Sequence, residues 1–512
     1  MNNSEHFTKM RNTESRDLSK IPILKNSVFF ESIKSHCSKG LRVSSYFSFL
    51  NSKKQNQLII VLADDESSYF LVSSTIIEGR EFPSLAIELP QIQLFEREIA
   101  EQFGLIPEGH PRFYPVRFHH SYTESDAWNR NKKHSIKPSV IDFTDVIGND
   151  IHEVAVGPVH AGVIEPGHFR FHCFGEKVFN LQISLGYQHR GIEKMLIGGP
   201  DKKTLHLIET VAGDSTIANT IAYSQIIESL SGYQGITLSS LLTRAILLEL
   251  ERMANHVGDI GALSNDVAFL PTSSYCGRIR GDFLNLTAEF CGNRFGRRAI
   301  LPGGIAFQLD TELLSRFKQR FCKIFDEFKS AAELFFSSTS TMERLDGCGV
   351  LEKKIAKEIG VVGLVARATG IHCDSRFNFP SGIFNFTQIP IVFFDSGDVL
   401  ARALVRYHEA INSGKFILEQ SSNLFEENKA SSLFLDYKLK PNSLSLSMVE
   451  AWRGETLHIA ITDCKGRFIR YKIVDPSFHN WTALEVVLRN ELIYNFPLCN
   501  KSFNLSYCGH DL

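Results

Sequence analysis

The sequence has no long apolar run, no excess of charge of either sign and no two cysteines separated by only two residues. A membrane-spanning helix needs about 20 apolar residues in succession, and even the apolar segment 241–249 contains Arg244 and Glu249. The 55 basic and 57 acidic side chains leave a formal net charge of −2. This balance gives no electrostatic case for nucleic-acid binding, which requires a clustered basic surface.

The cysteines are scattered, so zinc or iron–sulfur sites built from this chain alone are not expected. We predict instead that they are buried small hydrophobic residues of a reducing compartment. The N-terminus lacks the apolar core of a secretory signal, which predicts a cytosolic location. The cysteines are residues 37, 173, 276, 291, 322, 348, 373, 464, 499 and 508.

A small α+β domain is predicted over residues 28–120. The β-rich runs 57–63 and 69–73 flank a polar turn and predict a hairpin. An amphipathic segment over 95–103 predicts a helix that ends at Gly104. These elements suffice for a compact unit.

A chain of 512 residues is too long for a single core of this size, so further units are predicted on either side of the small domain. Residues 1–27 are polar and predict a flexible leader. Residues 121–150 carry little apolar pattern and predict a linker. Residues 151–512 form a larger, mainly helical domain, in which the runs 456–461 and 467–473 predict a hairpin with glycine at its turn.

A charged stripe lies along the longest predicted helix, at Glu249, Arg252, His256 and Asp259. Spacings of three and four place these side chains on one helix face, while the other faces are apolar, so the helix is expected to be buried. One interpretation is a proton-relay segment. The favoured one is a buried ion-pair network that fixes packing, since each charge has an opposite partner within one turn.

Motifs in successive order resemble those of one family, the large subunit of membrane-bound [NiFe] hydrogenases of the formate hydrogenlyase type. Its homologue is the quinone-site subunit of respiratory complex I, the NADH-quinone oxidoreductase. The resemblance implies a hydrogenase large-subunit-like domain, mainly helical with short peripheral hairpins, behind a small domain like the complex I subunit fused in formate hydrogenlyases. The motifs are Phe95-Glu-Arg-Glu-Ile-Ala-Glu-Gln-Phe-Gly104, Gly109-His-Pro111, Gly157-Pro-Val-His160, Glu165-Pro-Gly-His168, Gly186-Tyr-Gln-His-Arg-Gly-Ile-Glu-Lys194, Glu249-Leu-Glu-Arg-Met-Ala-Asn-His256, Arg344-Leu-Asp346, Gly397-Asp-Val-Leu-Ala-Arg402 and Val449-Glu-Ala-Trp-Arg-Gly-Glu455.

The chain departs from this family at its four metal-binding cysteines. Ala212 and Ser215 stand at the first pair of cysteine positions, and Ser506 and Gly509 at the second. Nickel and iron need thiolate ligands that these residues do not supply, and Cys508 alone cannot hold a binuclear site. The resemblance therefore implies a lost NiFe site, no bound nickel and no active NiFe hydrogenase.

Complex I relatives have also lost these cysteines and use the emptied cavity for quinone, so quinone is one candidate ligand. Those relatives carry a quinone-contacting tyrosine in the segment matching residues 212–219, where this chain has none; Asp214 or Ser215 stands near its place. His160 or His168 corresponds to the quinone-site histidine. Quinone binding stays open at this point.

Glu165 and His168 are candidate catalytic residues, because their motif resembles the hydrogenase loop whose glutamate passes protons to and from the metal. A carboxylate beside a dry cavity can have a raised pKa and relay protons. The alternative for Glu165 is a turn carboxylate bonded to backbone N–H groups before Pro166.

His189 and Glu193 are also candidate catalytic residues, because the resemblance implies that their motif lies near an iron–sulfur cluster held by a partner subunit. A charged or hydrogen-bonding side chain there can tune the potential of a cluster. The alternative is a local ion pair between Arg190 and Glu193, three residues apart on a helix.

Together these features predict a subunit of a membrane-associated complex I-like or hydrogenase-related oxidoreductase that transfers electrons to an unidentified acceptor, coupled to ion or proton movement. The alternative is a catalytically silent scaffold that couples conformational change or protons to antiporter-like membrane subunits. The implied partners are a small iron–sulfur subunit, ferredoxin-like subunits and those membrane subunits, which would hold the chain on the cytoplasmic face of the inner membrane. No cofactor is expected on this chain alone, and whether it is itself an enzyme stays open.

Overall fold

The computed structural model describes residues 6–131, 133, 135–137, 143, 146, 148, 150–161, 164–424 and 438–512. Part of the predicted linker and the first five residues of the predicted leader lie outside the described residues. The strands are β1 (Thr8–Met10), β2 (Ser15–Asp17), β3 (Ile23–Leu24), β4 (Arg42–Leu50), β5 (Asn56–Asp64), β6 (Tyr69–Ile76), β7 (Glu81–Pro83), β8 (Ile106–Glu108), β9 (Ile151–Val156), β10 (His168–Phe174), β11 (Lys177–Ser184), β12 (Ile300–Leu301), β13 (Gly304–Ile305), β14 (Ser443–Ala451), β15 (Gly454–Thr462) and β16 (Phe468–Val474). The helices are α1 (Asn26–Cys37), α2 (Gln93–Phe103), α3 (Ile192–Leu196), α4 (Thr204–Ile208), α5 (Thr216–Ser231), α6 (Leu238–Asp266), α7 (Leu270–Cys291), α8 (Thr311–Phe336), α9 (Thr339–Leu345), α10 (Lys353–Ile359), α11 (Gly363–Arg367), α12 (Ser375–Asn378), α13 (Val399–Ser421), α14 (Pro476–Val487), α15 (Phe496–Phe503) and α16 (Tyr507–His510).

The N-terminal part contains the predicted hairpin and helix. Strands β5 and β6 pair antiparallel within a sheet of order β1-β6-β5-β4, and β3 pairs with β6. Helix α2 ends where Gly104 takes a left-handed conformation with φ +68°, which glycine adopts without the steric cost of a side chain. Both predictions are confirmed.

The predicted flexible leader is wrong for residues 6–27. Strand β1 pairs with β6 and β2 pairs with β14, so this segment joins two sheets. Its few apolar side chains, Phe7, Met10 and Ile21, are buried in the core. Because these three buried side chains are far apart in the sequence, the segment is ordered although it shows no hydrophobic periodicity.

The N-terminal sheet and the C-terminal sheet share one hydrophobic core. Buried side chains of β4 to β6 continue into those of β14 to β16, including Leu446, Ile459 and Val474. The second sheet has the order β16-β15-β14-β2, and its β15–β16 hairpin is the one predicted. The small N-terminal unit is therefore fused to the larger part by packing as well as by the chain.

Long helices form the second core, around α6. This helix begins at Thr237, whose hydroxyl accepts the Ser240 N–H, and it is buried on nearly all sides between α7 and α13. No helix among the described residues combines the length and apolar character that crossing a membrane requires. Helix α6 thus carries its charges inside the protein.

The cysteines are only partly as predicted. Residues 173, 276, 348, 373 and 499 are buried, but Cys322 and Cys464 are exposed. Cys322 lies on the outer face of α8, and Cys464 lies in the turn between β15 and β16. The prediction of burial is wrong for these two, since a turn and a helix face with polar neighbours leave a small side chain in solvent.

Candidate functional site

A cavity of about 640 Å³ lies between the loop that follows β9, strand β10 and helix α15. Its volume falls in the range of small-molecule binding sites, roughly 300–1,000 Å³. Apolar and aromatic side chains dominate the wall, and carboxylates and cationic groups interrupt it. The lining residues are Val156, His160, Ile164, Glu165, Phe171, Asp214, Asp266, Arg453, Ile493, Tyr494, Phe496, Pro497, Asn500, Lys501, Asn504, Leu505 and Tyr507.

Glu165 lies in the wall of this cavity and is held by the C-terminal segment. Its carboxylate accepts a hydrogen bond of 3.1 Å from the backbone N–H of Tyr507. The donor is therefore a distant residue and not the local turn before Pro166, as the alternative had it. Proton transfer by Glu165 stays a prediction, and its carboxylate is placed where a ligand in the cavity would meet it.

An ion pair joins the two loops that carry the four expected cysteine positions. The Arg453 guanidinium donates two hydrogen bonds of 2.7 Å to the Asp214 carboxylate and a third, of 2.5 Å, to the Asn504 carbonyl. Although burial raises the pKa of Asp214, the Arg453 guanidinium holds that pKa below its usual value. Asp214 precedes Ser215 in one loop, and Asn504 precedes Ser506 in the other, so Arg453 bridges them.

The expected cysteine positions are closely packed by other groups. The Ser506 hydroxyl accepts the Gly509 N–H at 2.9 Å and so caps the last helix, α16. A Cβ atom at Gly509 would lie 2.5 Å from the Asp475 carboxylate, closer than non-bonded atoms pack. Ala212 is fully buried. The residues present do not fit a NiFe centre, because they offer no thiolate and leave no room for one at position 509.

Cys508 does not restore a metal site. Its Sγ lies 3.4 Å from the Ser506 hydroxyl, and burial raises the pKa of its thiol to about 11. No cluster of three histidine, cysteine, aspartate or glutamate side chains suited to a metal ion is present in the described part of the chain. A neutral thiol is a poor ligand, since metal binding needs the thiolate.

His160, and not His168, lines the cavity. The His160 Nε2 is 2.9 Å from the Gly167 carbonyl, which it faces as a hydrogen-bond donor in one tautomer. His168 begins β10, and its ring lies against that of Phe143, with centroids 5.3 Å apart. Burial lowers the pKa of His168. The structure thus separates the two histidines that the sequence left as alternatives.

His189 is stacked on a second histidine from the N-terminal part. The ring centroids of His119 and His189 are 4.5 Å apart with an interplanar angle of 16°. The His189 Nδ1 is 3.3 Å from the Asp511 carbonyl, which links it to the C-terminus. Burial lowers the pKa of each ring to about 4, so both imidazoles are neutral near pH 7.

Glu193 is buried in an ionic cluster. It accepts hydrogen bonds from Arg470 at 2.9 Å, from Lys472 at 3.0 Å and from the backbone N–H of Ile473. Burial raises its pKa, but Lys472 and Arg470 outweigh this and hold the pKa well below its usual range. The Arg190–Glu193 pair suggested as an alternative is therefore wrong.

Arg190 points instead toward the first loop of expected cysteine positions. Its guanidinium donates to the carbonyls of Thr210 and Val211, at 2.6 and 3.0 Å. The helix that contains Glu193, α3, is only one turn long and turns Glu193 inward toward β16. The two side chains therefore leave the helix in different directions.

Comparisons with known proteins show which proteins this chain is similar to. The family model of the respiratory-chain NADH dehydrogenase 49 Kd subunit matches residues 266–436. Formate hydrogenlyase subunit 5 of Escherichia coli is 26% identical over 448 residues, 84% of this chain and 77% of that protein. The C/D subunit of the NADH-quinone oxidoreductase of Bacteroides thetaiotaomicron is 26% identical, over 74% of this chain and 75% of its own length.

Residues 266–436 are thus similar to a complex I 49 kDa-type domain. The fold agrees as well, since a chain of the membrane-bound sulfane sulfur reductase, an archaeal respiratory membrane complex, aligns at a TM-score of 0.64. That alignment has 23% identity and covers 72% of this chain and 100% of the other. The predicted resemblance and the predicted α+β, mainly helical fold are confirmed.

The charged stripe of α6 is buried and paired. Glu249 bonds Arg252 at 3.0 Å within the helix, but His256 bonds Glu409 at 2.9 Å and Asp259 bonds Arg406 at 2.7 Å, both on α13. The favoured ion-pair interpretation fits these contacts. The expected pairing within one turn of the same helix is wrong for His256 and Asp259, because their partners lie on α13.

Several residues that complete these clusters were not among the candidate site residues predicted from the sequence. Arg453 and Asp214 make the bridge between the loops, and Arg470 and Lys472 neutralise Glu193. A sequence signal for Arg470 and Lys472 was present in β16, where these two basic side chains occupy alternate positions of an otherwise largely apolar, buried strand. Charges at alternate positions of a buried strand indicate buried partners.

Proposed function

We propose that this chain is a nickel-free subunit of a complex I-like oxidoreductase complex, in which its cavity binds the molecule that accepts electrons. The observation that carries the proposal is the cavity of about 640 Å³, with the Arg453–Asp214 bridge beside it at the expected cysteine positions. A closed ion pair and a blocked Gly509 leave no metal chemistry there, whereas the cavity remains large enough for an organic ligand.

A quinone is the acceptor that we propose. The aromatic and aliphatic wall, with Phe171, Tyr494 and Phe496, suits a flat apolar ring. Reduction of a quinone to the quinol consumes two electrons and two protons. The electrons come from an iron–sulfur cluster of a partner subunit, and the protons come through the cavity wall.

Glu165 and Asp266 are the acids of the wall that we propose to supply protons. Burial raises the pKa of Asp266, although Lys501 opposes this shift. Glu165 lies at the backbone of Tyr507, so its position is fixed relative to the cavity. General acids contribute most when their pKa lies near the working pH.

His189 and Glu193 have a different place in this proposal. They lie with His119 where the N-terminal part meets β16, and we propose that the partner's iron–sulfur cluster lies next to this part of the protein. A neutral, oriented imidazole can stabilise one oxidation state of a cluster through a hydrogen bond. No cofactor is assigned to this chain itself.

The redox-silent scaffold is the second candidate, and one observation favours it. Ion pairs run from Glu249 and Arg376 through Arg252, Glu409 and Arg367 to Glu450, all buried. Such a network joins α6, α12, α13 and β14 into one rigid unit that transmits displacement without moving electrons. Membrane subunits would be the receivers of that displacement.

Purification of the intact complex tests the proposal directly. Metal analysis is expected to find iron but no stoichiometric nickel, and electron paramagnetic resonance is expected to show a reducible cluster. A short-chain ubiquinone is expected to reoxidise that cluster, more slowly with Glu165→Gln and at the normal rate with the exposed Glu343→Gln. Stoichiometric nickel contradicts the proposal; a complex without a reducible cluster favours the scaffold.

A further inference from the structure

Two buried thiols face each other behind the helix that lines the cavity. The Sγ atoms of Cys348 and Cys499 are 3.8 Å apart, and the two residues are 6% and 0% exposed. Cys348 lies in the loop after α9, and Cys499 lies in the middle of α15. The cavity-lining positions of α15 are 496, 497, 500 and 501, so helical geometry places Cys499 on the opposite face.

The loop around Cys348 is built for close approach to α15. Gly347 and Gly349 have φ values of +66° and +59°, and a Cβ atom at Gly349 would lie 2.5 Å from the Cys499 sulfur. Only glycine leaves the space that the Cys499 thiol occupies. A disulfide bond is about 2.0 Å long, so the sulfurs need to approach by roughly 1.8 Å.

A buried cation adjoins the two thiols. The Arg402 guanidinium donates to three neutral oxygens, those of the Ser502 hydroxyl and the Gly397 and Gly349 carbonyls. Burial lowers the pKa of Arg402 to about 10, and the nearby Cys499, Asp398 and Cys348 act against this. A positive charge beside a thiol favours the thiolate, which is the nucleophile of disulfide exchange.

The two thiols are not equivalent. The hydrogen bond between them lowers the pKa of Cys348 and raises that of Cys499. Cys348 is also the one with a small exposed fraction. Cys348 is therefore the nucleophile in the proposal below, and Cys499 is placed to resolve the product.

We propose that Cys348 and Cys499 form a reversible disulfide by exchange with a low-molecular-weight disulfide. The Cys348 thiolate attacks one sulfur of the oxidant and displaces the other half as a thiolate. The Cys499 sulfur then attacks the mixed disulfide at Cys348 and displaces the second half. The protein pair loses two electrons and two protons, and the oxidant is reduced to two thiols.

The disulfide would join the loop at residues 347–349 to α15. Because the other face of α15 lines the cavity, the bond fixes a wall of that cavity in the oxidised state. This inference does not depend on the proposed electron acceptor, since the bond and its effect on α15 are measurable without turnover.

Peptide mapping of the full chain tests the bond. The protein is treated with oxidised glutathione, its free thiols are alkylated under denaturing conditions, and the digest is analysed by mass spectrometry. A linked peptide containing Cys348 and Cys499 is expected, with loss of the link after dithiothreitol treatment. The link is expected to be absent from Cys348→Ser and Cys499→Ser and present in Cys276→Ser, which removes another buried thiol.

Two outcomes overturn the inference. Full alkylation of both cysteines after oxidation shows that the bond does not form, and equal linkage of Cys348 to several other cysteines shows unspecific scrambling. Hydrogen exchange of the wild-type chain gives a second measurement that needs no variant to fold. Oxidation is expected to slow amide exchange over residues 496–503 reversibly, and unchanged exchange removes the proposed effect on α15.

Discussion

The Arg453 guanidinium binds the Asp214 carboxylate through two hydrogen bonds of 2.7 Å and reaches the Asn504 carbonyl with a third. A paired, charge-assisted contact of this kind is among the stronger polar interactions and fixes geometry as well as distance. It connects the two loops that contain the four expected cysteine positions. An ion pair therefore holds these two loops together.

Substitution of Asp214 by asparagine tests that connection. The variant keeps the side-chain shape but leaves the buried Arg453 without its counter-charge. We expect the free energy of unfolding to fall by about 1–3 kcal/mol, because an unmatched buried polar group carries its desolvation cost. Urea denaturation at pH 7 measures the change.

The matched control is Asp282→Asn on the exposed side of α7. Asp282 pairs with Arg278, whose side chain is half exposed. Surface pairs contribute roughly 0–1 kcal/mol, so this variant is expected to unfold close to the wild-type midpoint. Equal effects of the two variants would contradict a structural role for the Asp214 pair.

Substitution of Glu193 by glutamine tests the cluster beneath the N-terminal part. The pKa of Glu193 is held well below its usual range, so the folded state keeps it ionised where the unfolded chain would bind a proton. Its stabilising effect is therefore fully present above the unfolded pKa of about 4.3 and is lost as the pH falls toward the folded value. At pH 7 we expect a loss of about 3–5 kcal/mol for breaking a buried pair.

Denaturation of wild type and variant across the acid range checks this sign. The difference between them is expected to be largest at pH 7 and to shrink below pH 4. Glu88→Gln is the control, because Glu88 forms an exposed pair with Lys34. A constant difference at all pH values would mean that packing, and not the charge of Glu193, accounts for the effect.

Substitution of His119 by phenylalanine tests the stacked histidines. The pKa of buried His119 is lowered to about 4, so the folded protein resists a proton that the unfolded chain takes up near pH 6.5. Stability is therefore fully present above about pH 6.5 and is lost as the pH falls toward 4. Phenylalanine keeps an aromatic ring stacked on His189 but has no group that binds a proton in this pH range.

Between pH 6.5 and 4, the free energy of unfolding of wild type is expected to fall further than that of the variant, by up to about 3 kcal/mol. Thermal unfolding in a series of buffers measures both profiles. His120→Gln is the control, since His120 is exposed and is expected to leave the profile unchanged. A variant that loses stability as steeply as wild type would assign the acid sensitivity to other groups.

Local pattern was enough to predict the hairpins, the α2 helix with its Gly104 end and the long buried α6. Each of these follows from periodicity and turn chemistry within about 20 residues. The leader at residues 6–27 was missed, because its strands exist only through pairing with β6 and β14. Pairing of segments far apart in the sequence leaves no local period.

The candidate site also combines features that local pattern predicts with contacts between distant segments that it does not predict. The motifs marked the loops with Glu165 and His189, but the partners of these residues came from elsewhere in the chain. Tyr507 donates to Glu165, His119 stacks on His189, and Lys472 neutralises Glu193. Motifs in a single sequence identify the candidate side chains, but the residues that contact them are known only from the fold.

The packing at Gly509 gives a sharp test of whether a metal centre fits at the expected cysteine positions. A Cβ atom there would lie 2.5 Å from the Asp475 carboxylate and 2.9 Å from the Ser506 hydroxyl. Gly509→Ala is therefore expected to cost about 1–3 kcal/mol of stability through overpacking. Gly277→Ala, where added atoms would meet open space on α7, is expected to be neutral or stabilising, because alanine favours helix.

The same packing predicts that returning the cysteines does not return the metal. A chain with Ala212→Cys, Ser215→Cys, Ser506→Cys and Gly509→Cys has all four expected cysteines but still has Asp475 in the space of the last thiol. We expect no stoichiometric nickel on it by equilibrium dialysis at neutral pH. Adding Asp475→Ala opens that space, so tight nickel binding only in the five-fold variant would identify Asp475 as the group that closes the site, whereas binding by the four-fold variant would refute steric closure.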